Sequence, residues 1–497
     1  MAEMRLLVKD TAIYGVSSIL GRFLNWCLMP FYTHMLSQPK DYGMVGELYA
    51  WTALLLVILT YGLETGFFRF ANKYKNQAHI VYSTSLISLA ATSLAFILVI
   101  SLFLRPVSSI LQYESHPDFV WMMGFTVAID AFSALPFAWI RFQKRPLFFA
   151  TVRMAMIGVN IFFNLFFLWI CPLIYKHHPS LISWFYQLDY GVGYVFLSNV
   201  ISSVFGLLLM SKYWLLPKFV FNPRLFKPLM RYSLPLLVLG IAGIMNQSLD
   251  KMILKYLLGG GDQGLTQLGI YTACFKLGIV MMMFTQAFRY AYEPFVFSKH
   301  KQKNDTAAYS EAMKYFIIFS AFVFLGVMYY LDLLKLMIDK DYWVGLQVVP
   351  IVLVSYIFQG ITFNLSFWYK LSDKTDWGAV ISIVGLLVTV IGNLVFVPLY
   401  GYVASAWSSL FCFLVMMLVS WLLGKKYFPV KYDLLSAFKY AALTLVLYFI
   451  GMKIQLDHLY LEMGLRTLLL LALALYVLFG ELKAQPLLKK YFVRGKN

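Results

Sequence analysis

One pattern governs what this chain can fold into. Stretches of about 20 apolar residues return from one end to the other, and each is long enough as a helix to cross about 30 Å of hydrocarbon. No water reaches the backbone in that medium. Helices, which satisfy their own N–H and C=O groups, are therefore the expected elements. Only 13% of the 497 residues are charged and 61% are hydrophobic, too little polar surface to clothe a soluble protein. The sequence predicts an all-α polytopic membrane protein with no soluble domain of useful size. Fourteen helices are expected, at about 10–36, 41–68, 79–104, 118–141, 146–173, 191–211, 229–258, 265–295, 311–331, 342–370, 376–397, 401–424, 432–452 and 458–480. Pro30, Pro136, Pro235, Pro294 and Pro350 are the expected kinks.

The loops carry the orientation. With the N-terminus inside, 28 of the 41 Lys and Arg residues fall in inside segments. Six fall outside: Lys40, Arg105, Lys176, Lys335, Lys340 and Lys453. The positive-inside rule then predicts an even helix count and two cytoplasmic termini. It also accounts for the net charge of +18 without nucleic acid as a partner. The opening "MAEMRLLVKD" runs into a full-length apolar stretch with no small-residue cleavage site, so the first helix is expected to stay. Cys27, Cys171, Cys274 and Cys412 lie in or beside apolar runs and far apart, as packing residues and not as a disulfide or metal site.

The sequence also echoes itself. "DYGMVGELYAWTALLL" resembles "QLGIYTACFKLGIVMM", with Gly43 and Gly269 226 residues apart. "FNLFFLW" resembles "GNLVFVPL", with Asn164 and Asn393 229 apart, and "YGVGYVFLSNV" resembles "YGYVASAWSSL". An extra segment, "CPLIYKHHPSLISWFYQLD", interrupts the first copy. Two six-helix lobes follow, 1–212 and 229–424, joined by a cytoplasmic linker at 213–228. Residues 425–497 add two accessory helices and a basic tail. Because each lobe holds an even number of helices, the two are expected in a pseudo-two-fold arrangement about the membrane normal.

Three stretches carry a family resemblance. "AIYGVSSILGRFLNWCLMPFYTHMLSQPKDYGMVGELYAW", "YGLETGFFRFANK" and "RYSLPLLVLGIAGIMNQSLDKMIL…LGIYTACFKLG" resemble, in this order, the opening, the second-helix end and the helix 7 and 8 signature of the bacterial polysaccharide-unit flippases. These are the Wzx-type, RfbX-like polysaccharide biosynthesis proteins of the multidrug/oligosaccharidyl-lipid/polysaccharide exporter superfamily. The resemblance covers about residues 8–425. It implies two six-helix lobes around a central cavity in the bacterial inner membrane. It also implies alternating access that moves a polyprenyl-pyrophosphate-linked oligosaccharide between leaflets, for lipopolysaccharide O-antigen or other surface polysaccharide. An H+ or Na+ gradient, worked as an antiporter, is the candidate drive. Membrane lipids, a polysaccharide polymerase and export machinery are the implied company. No cofactor and no enzymatic step are implied.

Charges inside membrane helices are the candidate site residues, because burying them in hydrocarbon is costly. Arg22 lies thirteen residues past Lys9, about 20 Å in; Arg153 lies eight past Arg145, about 12 Å in; Lys276 is near midplane. These three cations are expected to line the cavity and hold an anionic headgroup, Arg as a fork and Lys as a point charge. Asp130, a mid-depth carboxylate, is expected to pair with one of them or carry a coupling proton. Arg69, Arg141, Arg289 and Glu293 lie near the cytoplasmic ends, as entrance charges. Asn246 and Asp250, four apart on one helix face, are expected at an outer gate, with Lys251 and Lys255 snorkelling outward.

Other readings of the same features are a peptidoglycan lipid-precursor flippase and a cation-coupled drug exporter. The net-positive mid-depth charge speaks against the exporter. A polysaccharide polymerase would need a larger outer loop than the sequence offers. No Walker loop, catalytic triad or metal motif stands out.

Overall fold

A computed structural model gives the backbone of residues 2–215, 219–300, 307–372, 374 and 376–484, and the side chains of 15, 19–215, 219–292, 308–372, 374 and 376–480. Every regular element among them is helical. The long helices are α1 (Ala2–Met35), α2 (Pro39–Thr60), α3 (Ala78–Leu102), α4 (Pro117–Phe142), α5 (Pro146–Leu165), α6 (Val192–Leu209) and α7 (Pro223–Leu257). They continue as α8 (Gly261–His300), α9 (Ala307–Tyr329), α10 (Val348–Leu365), α11 (Asp376–Tyr400), α12 (Tyr402–Tyr427), α13 (Leu434–Lys453) and α14 (Leu459–Ala484). Among the described residues thirteen spans, one for each helix from α2 to α14, are long and apolar enough to cross a membrane, against the fourteen expected. The 34-residue α1 is a further long helix.

The expected second helix is in fact two pieces. α2 ends at Thr60, and a short helix, Leu63–Lys73, follows. Tyr61 and Gly62 between them both take positive φ, 32° and 71°. Gly62 is needed there twice over: its φ suits glycine, and a Cβ would lie 2.6 Å from the Ser233 carbonyl oxygen. The break turns Leu63, Phe67 and Phe70 into a core with Tyr82, Leu86 and Leu135. Tyr82 stacks on Trp139 with centroids 4.7 Å apart. The expected seventh helix starts earlier, at Pro223, because the Asn222 side chain accepts from the Arg224 N–H at 3.0 Å and caps it. Pro30, Pro136 and Pro235 lie inside helices. Pro350 sits in the first turn of α10, where its missing N–H leaves no bond unmade. Pro294 falls outside the described side chains.

α5 does not stop at Leu165. One π-helical turn, Phe166–Ile170, inserts an extra residue and carries it into Cys171–His177. The extra segment seen in the sequence then folds back through Pro179–Ile182 and Leu188–Tyr190.

The chain divides into two compact units. One comprises Met1–Lys276, Ile338–Val348 and Thr375–Met416; the other comprises Leu277–Met337, Val349–Lys374 and Met417–Asn497. In the first, α4 packs on α2, α3 and α6, α5 packs on α1 and α6, and α7 packs on α2 and α11. In the second, α13 and α14 pack on α9. Their anchor is Arg466, 3% exposed. Its guanidinium donates to the Tyr329, Gly451 and Ile454 carbonyls and pairs with Glu462 and with Asp332 at 3.3 Å. Lys335, then Arg466, hold the Asp332 carboxyl below its usual range.

Candidate functional site

Four helices of the first unit bring polar faces together around a cavity of about 410 Å³. α1 supplies Arg22 and Asn25, α4 Thr126 and Asp130, α5 Phe149, Arg153 and Asn160, and α6 Asn199, Ser202 and Ser203. The local reason is periodicity. Phe149, Arg153 and Asn160 fall at i, i+4 and i+11, one face of α5; Asn199, Ser202 and Ser203 fall at i, i+3 and i+4 on α6. Gly21 lets α1 approach α5 closely, since a Cβ there would lie 2.8 Å from the Ile157 side chain.

Three of the predicted residues therefore meet: Arg22, Asp130 and Arg153. Asp130 lies close to Ser203 and within electrostatic reach of Arg153. The Arg153 guanidinium sits 4.1 Å from the Phe137 ring centroid, which supports it from behind without using its donors. Arg22 and Arg153 are both exposed at the cavity wall. Two guanidiniums against one carboxylate leave these charged groups net positive.

Lys276 is not part of this cavity. Its ammonium lies 5.2 Å from the centroid of the Tyr42 ring. Its carbonyl accepts from the Trp26 indole N–H at 2.8 Å, which ties α8 to α1 one turn beyond Arg22.

Below the charged groups runs a circuit of neutral side chains that the depth rule for charges does not find. Tyr32 donates to the Asn164 amide oxygen at 2.9 Å; the Asn164 and Asn160 amides meet at 3.3 Å; Asn160 donates to Asn199 at 3.3 Å; Asn199 donates to the Tyr49 hydroxyl at 2.8 Å. Tyr49 lies close to Tyr32, where the run began. The circuit joins α1, α2, α5 and α6. Its signal was available as asparagines recurring at i and i+4 in the apolar second half of α5. The echo residue Asn393 repeats the setting of Asn164. Each donates to the carbonyl four residues back, at 2.8 Å, and each accepts from a hydroxyl, Tyr32 for Asn164 and Ser405 for Asn393.

The predicted entrance charges are dispersed. Arg141 pairs with Glu64 and sits 5.7 Å from the Phe149 ring at the cavity edge. Arg69 is exposed and stacks over Tyr232 at 4.1 Å. Arg289 belongs to the second unit, 5.2 Å from the Phe363 ring, with its buried Nε lacking a hydrogen-bond partner. The Glu293 side chain lies outside the described residues.

Asn246 and Asp250 are both buried and fasten α7 to its neighbours. Asn246 donates to the Ser382 carbonyl of α11 at 2.9 Å. Asp250 accepts from the Tyr271 hydroxyl of α8 at 2.5 Å and pairs with Lys251 at 3.2 Å. The Lys251 ammonium rests 3.7 Å from the Phe275 ring. Snorkelling of Lys255 is overturned. It is fully buried and pairs at 2.8 Å with Glu47, which is equally buried. A sealed partner on another helix outcompetes the interface.

The family model described as "Polysaccharide biosynthesis protein" matches residues 7–291. No curated protein matches the sequence. Among solved structures, the chain is similar to a lipid II flippase, MurJ, in an inward closed conformation: TM-score 0.75, 12% identity, covering 95% of this chain and 99% of that one. It is also similar to a multidrug resistance MATE family transporter of the MOP superfamily in its inward-facing conformation, with TM-score 0.64, 14% identity and coverage of 82% and 94%. The same description in an outward-facing conformation gives TM-score 0.60 at 14% identity. At these identities the likeness concerns the fold. The sequence match spans more than half of the chain, and on that ground the chain belongs to the polysaccharide biosynthesis protein family.

Proposed function

We propose that the protein is a flippase: it carries a polyprenyl-pyrophosphate-linked oligosaccharide unit across the bacterial inner membrane by alternating access, for surface polysaccharide export. One observation supports this most. Arg22 and Arg153, from two helices far apart in the chain, line one cavity with a single carboxylate, Asp130, between polar walls. Diphosphates and acidic sugars are anionic, and guanidiniums held by two helices offer them charge-assisted hydrogen bonds. The amides and hydroxyls of Asn25, Asn160, Asn199 and Ser202 suit sugar hydroxyls. In this reading Asp130 offsets part of the positive charge and is the place where a coupling ion, H+ or Na+, would exchange. Lys276, Arg69, Arg141 and Arg289 serve the path before and after the cavity. Asn246 and Asp250 serve the outer end, by holding α7 in place. The halves 1–212 and 229–424 move against one another, and both termini are cytoplasmic. The protein is a carrier and not an enzyme.

The test is surface-polysaccharide output at equal protein level in Arg22→Ala, Arg153→Ala and Lys276→Ala cells. Loss in the first two is expected. Full output from all three would sink the reading.

A second reading, a peptidoglycan lipid-precursor flippase, is favoured by the near-complete overlap with the lipid II flippase fold. It predicts growth when the cell's own lipid II flippase is depleted and this chain supplied. The family match favours the first reading.

A further inference from the structure

The two glycines that echo one another in sequence touch one another in the first unit. A Cβ on Gly43 would lie 2.1 Å from the Leu265 carbonyl oxygen, and a Cβ on Gly269 would lie 1.8 Å from the Pro39 carbonyl oxygen. The contact is reciprocal: Gly43 and Gly269 are 226 residues apart, and so are Pro39 and Leu265. One turn on, a Cβ on Gly46 would lie 2.8 Å from the Thr272 hydroxyl, again a pair 226 apart. α2 and α8 therefore cross backbone to backbone on a local two-fold axis relating the two halves. At the rim, Lys40 pairs with Asp262 at 2.6 Å.

Beside this crossing lies the Glu47–Lys255 pair, both side chains 0% exposed. Its charged atoms are all engaged. Tyr113 donates to Glu47 Oε2 and Tyr256 to Glu47 Oε1, each at 2.8 Å, and Lys255 Nζ donates to the Leu111 carbonyl at 2.6 Å. Burial and the Glu47 carboxylate push the Tyr113 phenol well up, so it stays a donor. Such a pair is a poor device for stability, since well-packed apolar residues of the same volume do as well or better. Where a buried pair is kept, a register or switch role is its best-attested use. This one joins α2, from the first half, to α7, from the second, with the 111–113 turn closing over both.

We propose that Glu47 and Lys255 form a latch that holds the α2–α8 crossing shut in one state of the transport cycle and must part for the other. The inference rests on the flippase reading for its cycle, and its crosslinking arm does not need the substrate. A pair made only in the closed state adds to closure, and when it parts each member can be rehydrated in an opening mouth. An apolar pair would keep the crossing shut and give nothing back on opening.

The experiment reads closure directly. In a Cys27→Ser background, Lys40→Cys and Asp262→Cys are treated in membranes with a short bifunctional thiol crosslinker. The parent is expected to crosslink efficiently. Adding Glu47→Gln or Lys255→Met should cut the yield about tenfold or more, because the remaining charge drives the crossing open to reach water. Adding Glu47→Leu with Lys255→Met together should restore the yield, while the same double change in the native chain abolishes polysaccharide output. Parental crosslinking in both single variants overturns the latch. So does a double variant that keeps full output. Where a single variant fails to accumulate, Tyr256→Phe carries the test: a severalfold fall is expected, and an unchanged yield overturns the proposal. If the crosslinking pattern holds and the Arg22 and Arg153 variants export normally, the latch stands and the substrate reading falls.

Discussion

Two groups of charge carried by the long helices sit in the same unit and answer to opposite rules. Arg22, Asp130 and Arg153 face a cavity, and the two guanidiniums remain exposed to it. Glu47 and Lys255 are sealed, and two phenols and a carbonyl complete their bonding. The first arrangement is open to a guest. The second is closed to one. Depth in the membrane does not separate the two; access does.

Stability should separate the groups most sharply. Lys255→Met strands the Glu47 carboxylate, and a loss of about 3–5 kcal/mol is expected. Arg153→Gln should move stability by less than about 1 kcal/mol, since its charge faces open space. Thermal unfolding of the two purified variants in one detergent checks this; equal losses would erase the distinction. Next in size is export. Arg22→Ala and Arg153→Ala each remove a charged donor worth about 1.5–3 kcal/mol to a bound anion, so output should fall about tenfold or more at unchanged protein level. Arg153→Lys should retain part of it, and Arg153→Gln none.

Asn160→Leu lies between the two groups. It leaves the Asn199 amide oxygen without its donor and opens the circuit, at about 1–3 kcal/mol. Unfolding temperature should drop, and a matching Asn199→Leu change should add less than its own separate effect. Full additivity would mean that the circuit is not one unit.

The smallest effect concerns the second unit. Asp332 is half-exposed, and Lys335 and Arg466 depress its carboxyl. A depressed folded-state value contributes stability above the unfolded value and loses it as pH falls through the folded one. Protection of α13 and α14 from hydrogen exchange should therefore weaken only below about pH 4, by about 1 kcal/mol or less. In Asp332→Asn that acid dependence should vanish.

Much of this was legible in the chain. Apolar length alone marks the spans, and cations that interrupt it at depth mark Arg22 and Arg153. Asp130 joins them because α4 and α5 are neighbours in sequence and in space. Lys276 satisfied the same depth rule and still lies elsewhere, under Tyr42, because depth says nothing about which way a helix face turns. Lys255 departs from the snorkelling expectation for a related reason. Alone it looks like a charge near a helix mouth, and only tertiary packing shows that it meets Glu47. The asparagine circuit was visible as a stripe, yet neutral side chains carry no burial penalty large enough to single them out. The break at Tyr61 and Gly62 was hidden because helix resumes at once beyond it, although Glu64, Arg69 and Lys73 make that stretch more polar than α2.

The reciprocal contact of Gly43 and Gly269 sets a rule for substitution. At a two-fold axis each side meets its own counterpart, so a side chain added at either glycine meets the same obstacle, a carbonyl oxygen 2.1 Å from the new Cβ at Gly43 and 1.8 Å at Gly269. The charged pair beside the crossing is under no such rule: at the same offset of 226, Glu47 has Ala273 as its counterpart and Lys255 has Met29. The crossing is symmetric in backbone and one-sided in charge.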